Sequence, residues 1–205
     1  MSDARHGNAV HATKPVDSLS WFGAAPGRSA ELIAIHASHR AGVDIGAGAA
    51  RLVDHRRDAG FAPITALDIS AAGLAISQAR PRRRAAAVNW VGSDATAWAP
   101  SRRHGRWHDG AVFHVLTAPG PRAAYARALD AATAPGAVAI IASAADGPET
   151  CSGLPVQRDV CAELAAEIEW PLPGVFTPVE GRRHADVTPG GGAQHFQVSV
   201  LRKAG

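Results

Sequence analysis

Short extended segments alternate along the chain with segments whose apolar residues recur at helical spacing. The predicted strands cover residues 41–45, 64–68, 87–91, 106–109 and 136–143. The predicted helices cover residues 29–39, with Ser29 as the N-cap, and residues 50–59, 71–80, 121–132 and 158–169. Alternation at this spacing predicts a mainly parallel, doubly wound sheet, because the crossover helices must cover both faces of the sheet.

Two further extended segments, residues 175–183 and 195–201, close the chain with no helix between them. The loop 185–193, which carries a run of glycines, joins them. Strands connected without a crossover pair in antiparallel fashion. The expected fold class is therefore α/β, a doubly wound, Rossmann-like sheet of seven strands with an antiparallel edge strand.

Length and composition favour one domain. A chain of 205 residues with 46% hydrophobic composition can bury a substantial core. We expect residues 19–205 to form a single domain after a polar, flexible segment over residues 1–18, which lacks a signal-peptide core. No apolar run approaches the roughly 20 residues of a transmembrane helix. A cytoplasmic protein without a membrane partner is the expectation, and Cys151 and Cys161 are expected to be reduced thiols.

The charge pattern argues against a nucleic-acid partner. The formal net charge is +3, and the most visible basic run is Arg80-Pro81-Arg82-Arg83-Arg84. Such a run could contact phosphates, but it has no interleaved aromatic residues and lies between a predicted helix and a predicted strand. A solvated loop is the expectation for it.

A glycine turn and an acid after the first two strands point to a nucleoside pocket. The first strand runs into Asp44, Gly46 and Gly48, and the second ends at Asp68. The glycines allow a sharp turn close to a ligand, and Asp68 lies where such folds present an acid to ribose hydroxyls.

Two details favour S-adenosylmethionine (SAM) over a dinucleotide such as NAD. A dinucleotide fingerprint needs a third glycine, and Arg51 occupies that position. Asp44 would repel a pyrophosphate but can hold the ammonium group of a methionine moiety, directly or through water. The predicted cofactor is therefore SAM.

Several motifs resemble those of a small bacterial family of class I SAM-dependent methyltransferases. The likeness runs from about residue 20 to residue 202, and it rests on Ser20-Trp21-Phe22, Glu31-Leu32-Ile33, Asp44-Ile45-Gly46-Ala47-Gly48, Leu67-Asp68-Ile69-Ser70, Trp107-His108-Asp109, Ala111-Val112-Phe113-His114, Asp146-Gly147-Pro148-Glu149, Cys151-Ser152-Gly153-Leu154-Pro155-Val156, Thr188-Pro189 and Gln194-His195-Phe196. The resemblance implies the class I methyltransferase fold and transfer of a methyl group from SAM. It also implies that Asp94, followed by Ala95, accepts a hydrogen bond from the adenine amino group, whereas Asp94 as a turn cap is the alternative.

Ile69 and Trp98 are candidates to sandwich the adenine ring, and both are equally plausible as core residues. Trp21 and Cys151 are expected to line the acceptor pocket. No metal site is expected, because Cys151, His108, His114 and His184 do not share the spacing of metal ligands.

A general base is optional, since methyl transfer from a sulfonium mainly requires alignment and exclusion of water. The candidates are His108, Asp109 and His114, because the first two end the fourth strand and the third follows closely. A buried histidine bonded to the backbone is the alternative for His114.

Departures from the family pattern keep other functions open. Gly110 stands where the family usually has arginine, Ala50 replaces a common serine, and Ala144 replaces an aromatic residue. A noncatalytic or degenerate SAM-binding homologue is therefore one alternative, and an NAD-binding oxidoreductase is another. The methyl acceptor, a small molecule or a protein side chain, has no readable signature, and neither has the oligomeric state.

Overall fold

The computed structural model describes residues 4–13, 15–19, 22, 27–37, 41–80, 88–147, 149–189 and 191–205. The helices are α1 (Ala4–Thr13), α2 (Gly27–His36), α3 (Leu52–Asp58), α4 (Ala71–Ala79), α5 (Pro119–Ala132) and α6 (Cys161–Glu169). The strands are β1 (Gly42–Ile45), β2 (Ile64–Asp68), β3 (Val88–Gly92), β4 (His104–Asp109), β5 (Thr133–Asp146), β6 (Thr150–Cys151), β7 (Leu154–Pro155), β8 (Phe176–Val187) and β9 (Ala193–Lys203). Short 3₁₀ turns cover Val16–Ser18 and Phe113–Val115.

A seven-stranded sheet in the order β3-β2-β1-β4-β5-β9-β8 organises the molecule. The first five strands in this order pair in parallel, and β9 pairs antiparallel with both β5 and β8. The predicted fold class is confirmed, and the strand that opposes the others lies one position inside the edge strand β8. Strands β6 and β7 form a separate short hairpin.

Apolar side chains cover both faces of the sheet. On one face, Trp107 of β4 packs in a cluster with Tyr125 of α5 and Leu164 of α6. On the other face, the cluster includes Leu32 of α2 and Leu74 of α4. The crossover helices therefore lie on both faces of the sheet, and each buries its apolar stripe against one face.

The N-terminal segment contains a helix that the pattern of apolar residues did not predict. Within the stretch expected to be flexible, α1 lies against the start of α4, where the Asn8 side chain accepts hydrogen bonds from Ser70 Oγ at 2.9 Å and from the Ala72 amide at 3.1 Å. The N-cap prediction for Ser29 is wrong, because α2 begins at Gly27 and Ser29 lies inside the helix.

Candidate functional site

A cavity of about 510 Å³ lies at the carboxyl ends of the parallel strands. The sheet order reverses between β1 and β4, which is where ligands bind in doubly wound sheets. Most of the predicted site residues line this cavity: Asp44, Gly46, Gly48, Asp68, Ile69, Asp94, Ala95, His108 and Cys151. Asp109 and His114 do not line it, and Trp21 lies outside the described residues.

Asp44 of β1 is a buried acid with one oxygen engaged by the protein. Its Oδ1 accepts a hydrogen bond from the buried guanidinium of Arg56 on α3, and His108 Nδ1 lies 3.5 Å away. Its Oδ2 is buried without a hydrogen-bond partner among the described residues. Burial lowers the pKa of His108 to about 4, so the imidazole is neutral at pH 7. The site therefore presents a buried carboxylate oxygen able to accept a hydrogen bond from a ligand.

The glycine turn after β1 is shaped by the protein's own packing. Gly46 has a φ of +67° and Gly48 a φ of +36°. A Cβ on Gly46 would lie 2.5 Å from Val112 Cγ2, and a Cβ on Gly48 would lie 3.1 Å from Asp68 Oδ2. Direct ligand contact was the expected reason for glycine at position 48, yet a Cβ there would also press on the neighbouring carboxylate with no ligand involved.

Asp68 ends β2, with one oxygen bonded to the glycine turn and the other to the start of α4. Its Oδ2 accepts a hydrogen bond from the Gly48 amide at 2.8 Å, and its Oδ1 accepts one from the Ser70 amide at 2.7 Å. Burial raises the pKa of Asp68, whereas these amides and the nearby His11 of α1 lower it. A carboxylate has about four acceptor sites, so one remains on each oxygen for ligand hydroxyls.

Asp94, which follows β3, caps a turn and also lines the cavity. Its Oδ1 accepts hydrogen bonds from the Thr96 amide and hydroxyl, each at 2.8 Å, as a turn cap does. Both hydrogen bonds are accepted by Oδ1, and neither involves Oδ2. The residue lines the cavity together with Ile69 and Ala95. Trp98 packs instead against the core cluster that contains Trp107.

Asp109 belongs to the core. The side chain is fully buried and accepts hydrogen bonds from the Val112 amide at 2.5 Å, the Phe113 amide at 3.0 Å and the Tyr125 hydroxyl at 2.6 Å. Burial raises the pKa of Asp109 to about 6, although these donors lower it. The prediction of Asp109 as a catalytic group disagrees with this geometry, because its acceptor sites point at the backbone that turns out of β4.

His114 also lies in the core. Its Nδ1 accepts a hydrogen bond from the Ala144 amide at 3.0 Å, and burial lowers the pKa of the imidazole to about 4. The ring is fully buried, which agrees with the alternative of a core histidine bonded to the backbone. Its catalytic assignment therefore finds no support in the geometry of the cavity.

Cys151 lies on the hairpin strand β6 and lines the cavity as predicted. Burial raises the pKa of its thiol, which keeps the group protonated at neutral pH. A wall residue fits this state better than a nucleophile.

Sequence reasoning missed the residues that close the cavity from outside the parallel strands. Helix α1 contributes His6 and His11, and the β8–β9 hairpin contributes His184, Asp186 and Phe196. Alternation along β8 and β9 could have placed the hairpin residues on one face, but no pattern in the polar segment before residue 18 marks α1 as part of a site.

The hydrogen-bond acceptors of the cavity suit a nucleoside with a cationic amino acid moiety. Acids follow three adjacent strands, one carboxylate oxygen of Asp44 is orphaned, and apolar groups such as Ile69 lie between them. In the part of the chain that the structure describes, no three His, Cys, Asp or Glu side chains gather as a metal site. Among the described helices, none is long and apolar enough to cross a membrane.

Comparisons with known proteins identify the fold. No protein-family model matches the chain, and no curated protein matches it. Solved structures do match. The N-methyltransferase NodS from Bradyrhizobium japonicum WM9, in complex with S-adenosyl-L-homocysteine, has a TM-score of 0.72 at 14% identity, with 98% of this chain and 99% of that chain covered.

Two further structures agree. The 1,6-didemethyltoxoflavin-N1-methyltransferase of Burkholderia thailandensis, with bound 1,6-didemethyltoxoflavin and S-adenosylhomocysteine, has a TM-score of 0.69 at 21% identity and covers 92% of this chain and 80% of its own. The glycopeptide N-methyltransferase MtfA has a TM-score of 0.65 at 15% identity, with coverage of 86% and 89%. The chain therefore has the Rossmann-like fold of class I SAM-dependent methyltransferases.

Proposed function

We propose that this protein transfers a methyl group from SAM to an acceptor bound in the same cavity. One observation carries the proposal: acids at the ends of β1, β2 and after β3 line a single cavity with the glycine turn. The cavity lies at the switch point of the sheet, and the strand order of that sheet matches the methyltransferase fold. Solved methyltransferases of this fold hold S-adenosylhomocysteine, which supports the same choice of ligand.

Each acid has a distinct role in holding SAM. Asp44 Oδ2, the orphaned buried oxygen, accepts from the ammonium group of the methionine moiety. Asp68 accepts from the ribose hydroxyls with the sites that Gly48 and Ser70 leave open. Asp94 accepts from the adenine amino group, and Ile69 and Ala95 pack against the ring. Charge-assisted hydrogen bonds of this kind are among the stronger polar contacts in proteins.

Arg56 makes the position of Asp44 tenable. A buried carboxylate without a partner is costly, and the guanidinium of Arg56 supplies a compensating charge. Because Arg56 engages Oδ1, it orients Oδ2 and leaves it available to a ligand. His108, neutral beside Asp44, adds no competing positive charge.

The remaining part of the cavity receives the acceptor. It is lined by Cys151 and Leu154 of the β6–β7 hairpin and by Phe196 and Val198 of β9. SAM supplies a methyl group activated by its sulfonium. The chain itself has to orient the acceptor toward that group and exclude water, and these apolar walls do both.

Within this fold, we propose that the protein belongs to the small bacterial methyltransferase family that its sequence motifs resemble. Several of the motif residues line the cavity, including Asp44, Asp68 and Cys151, and this supports the proposal. Gly110, where that family usually has arginine, also lines the cavity, so this chain has more room there than the family pattern provides.

A transfer assay tests the proposal. The protein is incubated with SAM labelled on its methyl group and with fractions of small molecules or of cell lysate, and labelled products are counted. The expected result is label transfer that S-adenosylhomocysteine inhibits and that Asp44→Asn reduces. A protein that binds SAM yet transfers no label to any fraction would instead be a noncatalytic SAM-binding homologue.

A further inference from the structure

The β8–β9 hairpin brings a histidine and an aspartate to the acceptor side of the cavity. The imidazole of His184 is largely buried, with 11% of its side chain exposed, whereas Asp186 lies at the rim with 62% exposed. His184 Nε2 lies 3.3 Å from Asp186 Oδ2. The ring of His184 stacks on that of its cross-strand partner Phe196, with centroids 5.6 Å apart and planes at 25°. The aromatic neighbour and the carboxylate together fix the imidazole in one orientation.

The hydrogen bond to Asp186 determines which ring nitrogen is free. An ionised carboxylate only accepts, so Nε2 must carry the proton and donate it. In the neutral imidazole Nδ1 is then an acceptor with an open lone pair. Nδ1 of His184 is buried and has no hydrogen-bond partner within the described ranges. Both residues of the pair line the cavity. The histidine that carries this unpartnered nitrogen is therefore one of the residues that line the cavity.

The surroundings of this nitrogen restrict the acceptor. Apolar side chains line the same cavity, among them Leu154, Val187, Phe196 and Val198. Cys151 lines the same cavity, and burial raises the pKa of its thiol, so it does not compete as a base. His6 of α1 also lines the cavity, and its Nε2 lies 2.7 Å from the Ser152 carbonyl oxygen of the β6–β7 hairpin. The cavity thus places the aromatic ring of Phe196 and aliphatic side chains beside a histidine whose ring nitrogen can accept a proton.

We propose that His184, oriented by Asp186, is the general base of the reaction, and that the acceptor is a small planar molecule with a phenol-like hydroxyl or a ring N–H. This proposal rests on the proposed methyltransferase function. A carboxylate–imidazole pair is a recurrent device for removing a proton from a nucleophile, since the carboxylate fixes the tautomer and stabilises the imidazolium.

The step balances in protons and electrons. The acceptor oxygen or nitrogen uses a lone pair to form a bond to the methyl carbon, while the carbon–sulfur bond of SAM breaks and leaves its electron pair on sulfur. The acceptor proton moves to His184 Nδ1. The products are the methylated acceptor, S-adenosylhomocysteine and an imidazolium paired with Asp186, which returns the proton to water at the exposed rim.

A chromophoric phenol tests the base without knowledge of the natural acceptor. 4-Nitrophenol is titrated into the protein saturated with S-adenosylhomocysteine, at a pH below the probe's own pKa, and the phenolate absorbance is recorded. We expect a saturable phenolate signal in the wild type. The signal should be lost in His184→Gln, whose side chain cannot take a proton, and reduced in Asp186→Asn. Transfer of labelled methyl from SAM to the probe should fall by roughly 10² in His184→Gln.

The same hairpin supplies a matched control. His195 Nδ1 lies 3.2 Å from Asp146 Oδ2 in a second histidine–aspartate pair that is about half exposed. Because His195 is not among the residues that line the cavity, His195→Gln should behave as the wild type in both readouts.

Other results would overturn the assignment. A phenolate signal that persists in a folded His184→Gln protein, or one that is absent in wild type that binds S-adenosylhomocysteine, contradicts it while the methyltransferase function stands. Failure of the wild type to bind S-adenosylhomocysteine contradicts that function instead. If His184→Gln does not fold, ¹⁵N shifts of the wild-type imidazole decide, since a proton on Nδ1 with Nε2 bare is incompatible with the proposal.

Discussion

At the scale of single residues, acids at strand ends serve two different purposes. Asp44, Asp68 and Asp94 line the cavity, whereas Asp109 satisfies two backbone amides and the Tyr125 hydroxyl in the core. All four positions look alike in the local sequence, because each has a carboxylate at or after the end of a strand. Asp109 differs because the Tyr125 hydroxyl on α5 donates a hydrogen bond to its carboxylate. No local sequence pattern predicts that contact.

Replacing Asp109 with asparagine is therefore expected to lower stability and to spare cofactor binding. The amide NH₂ group would face one of the donors that the carboxylate now accepts from, and a buried unsatisfied donor costs about 1–3 kcal/mol. Urea denaturation should show this loss in the free energy of unfolding, and calorimetry should show S-adenosylhomocysteine affinity nearly unchanged. Asp58→Asn, at an exposed position at the end of α3, is the control. An undiminished stability with lost activity would restore Asp109 as a catalytic group.

The pH dependence of stability provides a second check on Asp109. Its pKa is raised from 3.8 to about 6 by burial, so the native state binds a proton more tightly than the unfolded chain. The associated stabilisation is fully present below pH 3.8 and is lost as pH rises through about 6. Across this window the stability of Asp109→Asn relative to the wild type should fall as the pH falls. A difference that stays constant from neutral to acidic pH contradicts the assigned environment.

At the scale of elements, the turn after β1 and helix α1 decide the shape of the cofactor end. The turn follows from glycine at positions that need positive φ, which the sequence shows directly. Helix α1 is different. Its ten residues include a single large apolar side chain, Val10. Its position depends on contacts with α4 that lie about sixty residues away in the chain, such as Asn8 with Ser70 at a separation of 62. A glycine turn can therefore be predicted from the sequence, whereas the docking of α1 against α4 cannot.

Gly46→Ala tests the turn. The added Cβ would lie 2.5 Å from Val112 Cγ2 at a φ of +67°, so the substitution should destabilise the fold by about 1–3 kcal/mol. Thermal denaturation measures the effect. Gly120→Ala is the matched control, since no heavy atom lies within 4 Å of its Cβ and it sits in the first turn of α5. Equal melting temperatures for the two variants would contradict the packing described for Gly46.

Asn8→Ala tests the docking of α1. It removes the acceptor of the Ser70 hydroxyl and the Ala72 amide. Hydrogen exchange of residues 4–13 should become faster, and SAM affinity should fall because His6 and His11 of α1 line the cavity. Thr13→Ala is the control, since its hydroxyl donates a hydrogen bond to the Ala9 carbonyl oxygen within the same helix. Unchanged exchange in Asn8→Ala would show that other contacts hold α1 in place.

At the scale of the whole molecule, the alternation of strand and helix predicted the architecture because burial on both sheet faces requires it. The predicted second strand, residues 64–68, coincides with β2, whereas β5 extends to Thr133–Asp146, beyond the predicted 136–143. Residues 144–146 of the extension pair with β9, and Thr133 pairs with His104 of β4, contacts that only the folded chain reveals. In the site, acids at strand ends were predictable, while Arg56, His184 and Asp186 were not, because they meet the cavity through tertiary packing.

The central claim is that the carboxylates at the ends of β1, β2 and after β3 form a SAM pocket, and calorimetric titration tests it most directly. S-Adenosylhomocysteine should bind the wild type, NADH should not, and Asp68→Ala should weaken binding by about tenfold or more, as expected for lost charge-assisted hydrogen bonds of roughly 1.5–3 kcal/mol. Asp58→Ala, at the exposed end of α3, should bind as the wild type does. No binding of S-adenosylhomocysteine to the folded wild type, or unchanged affinity in a folded Asp68→Ala protein, would contradict the account.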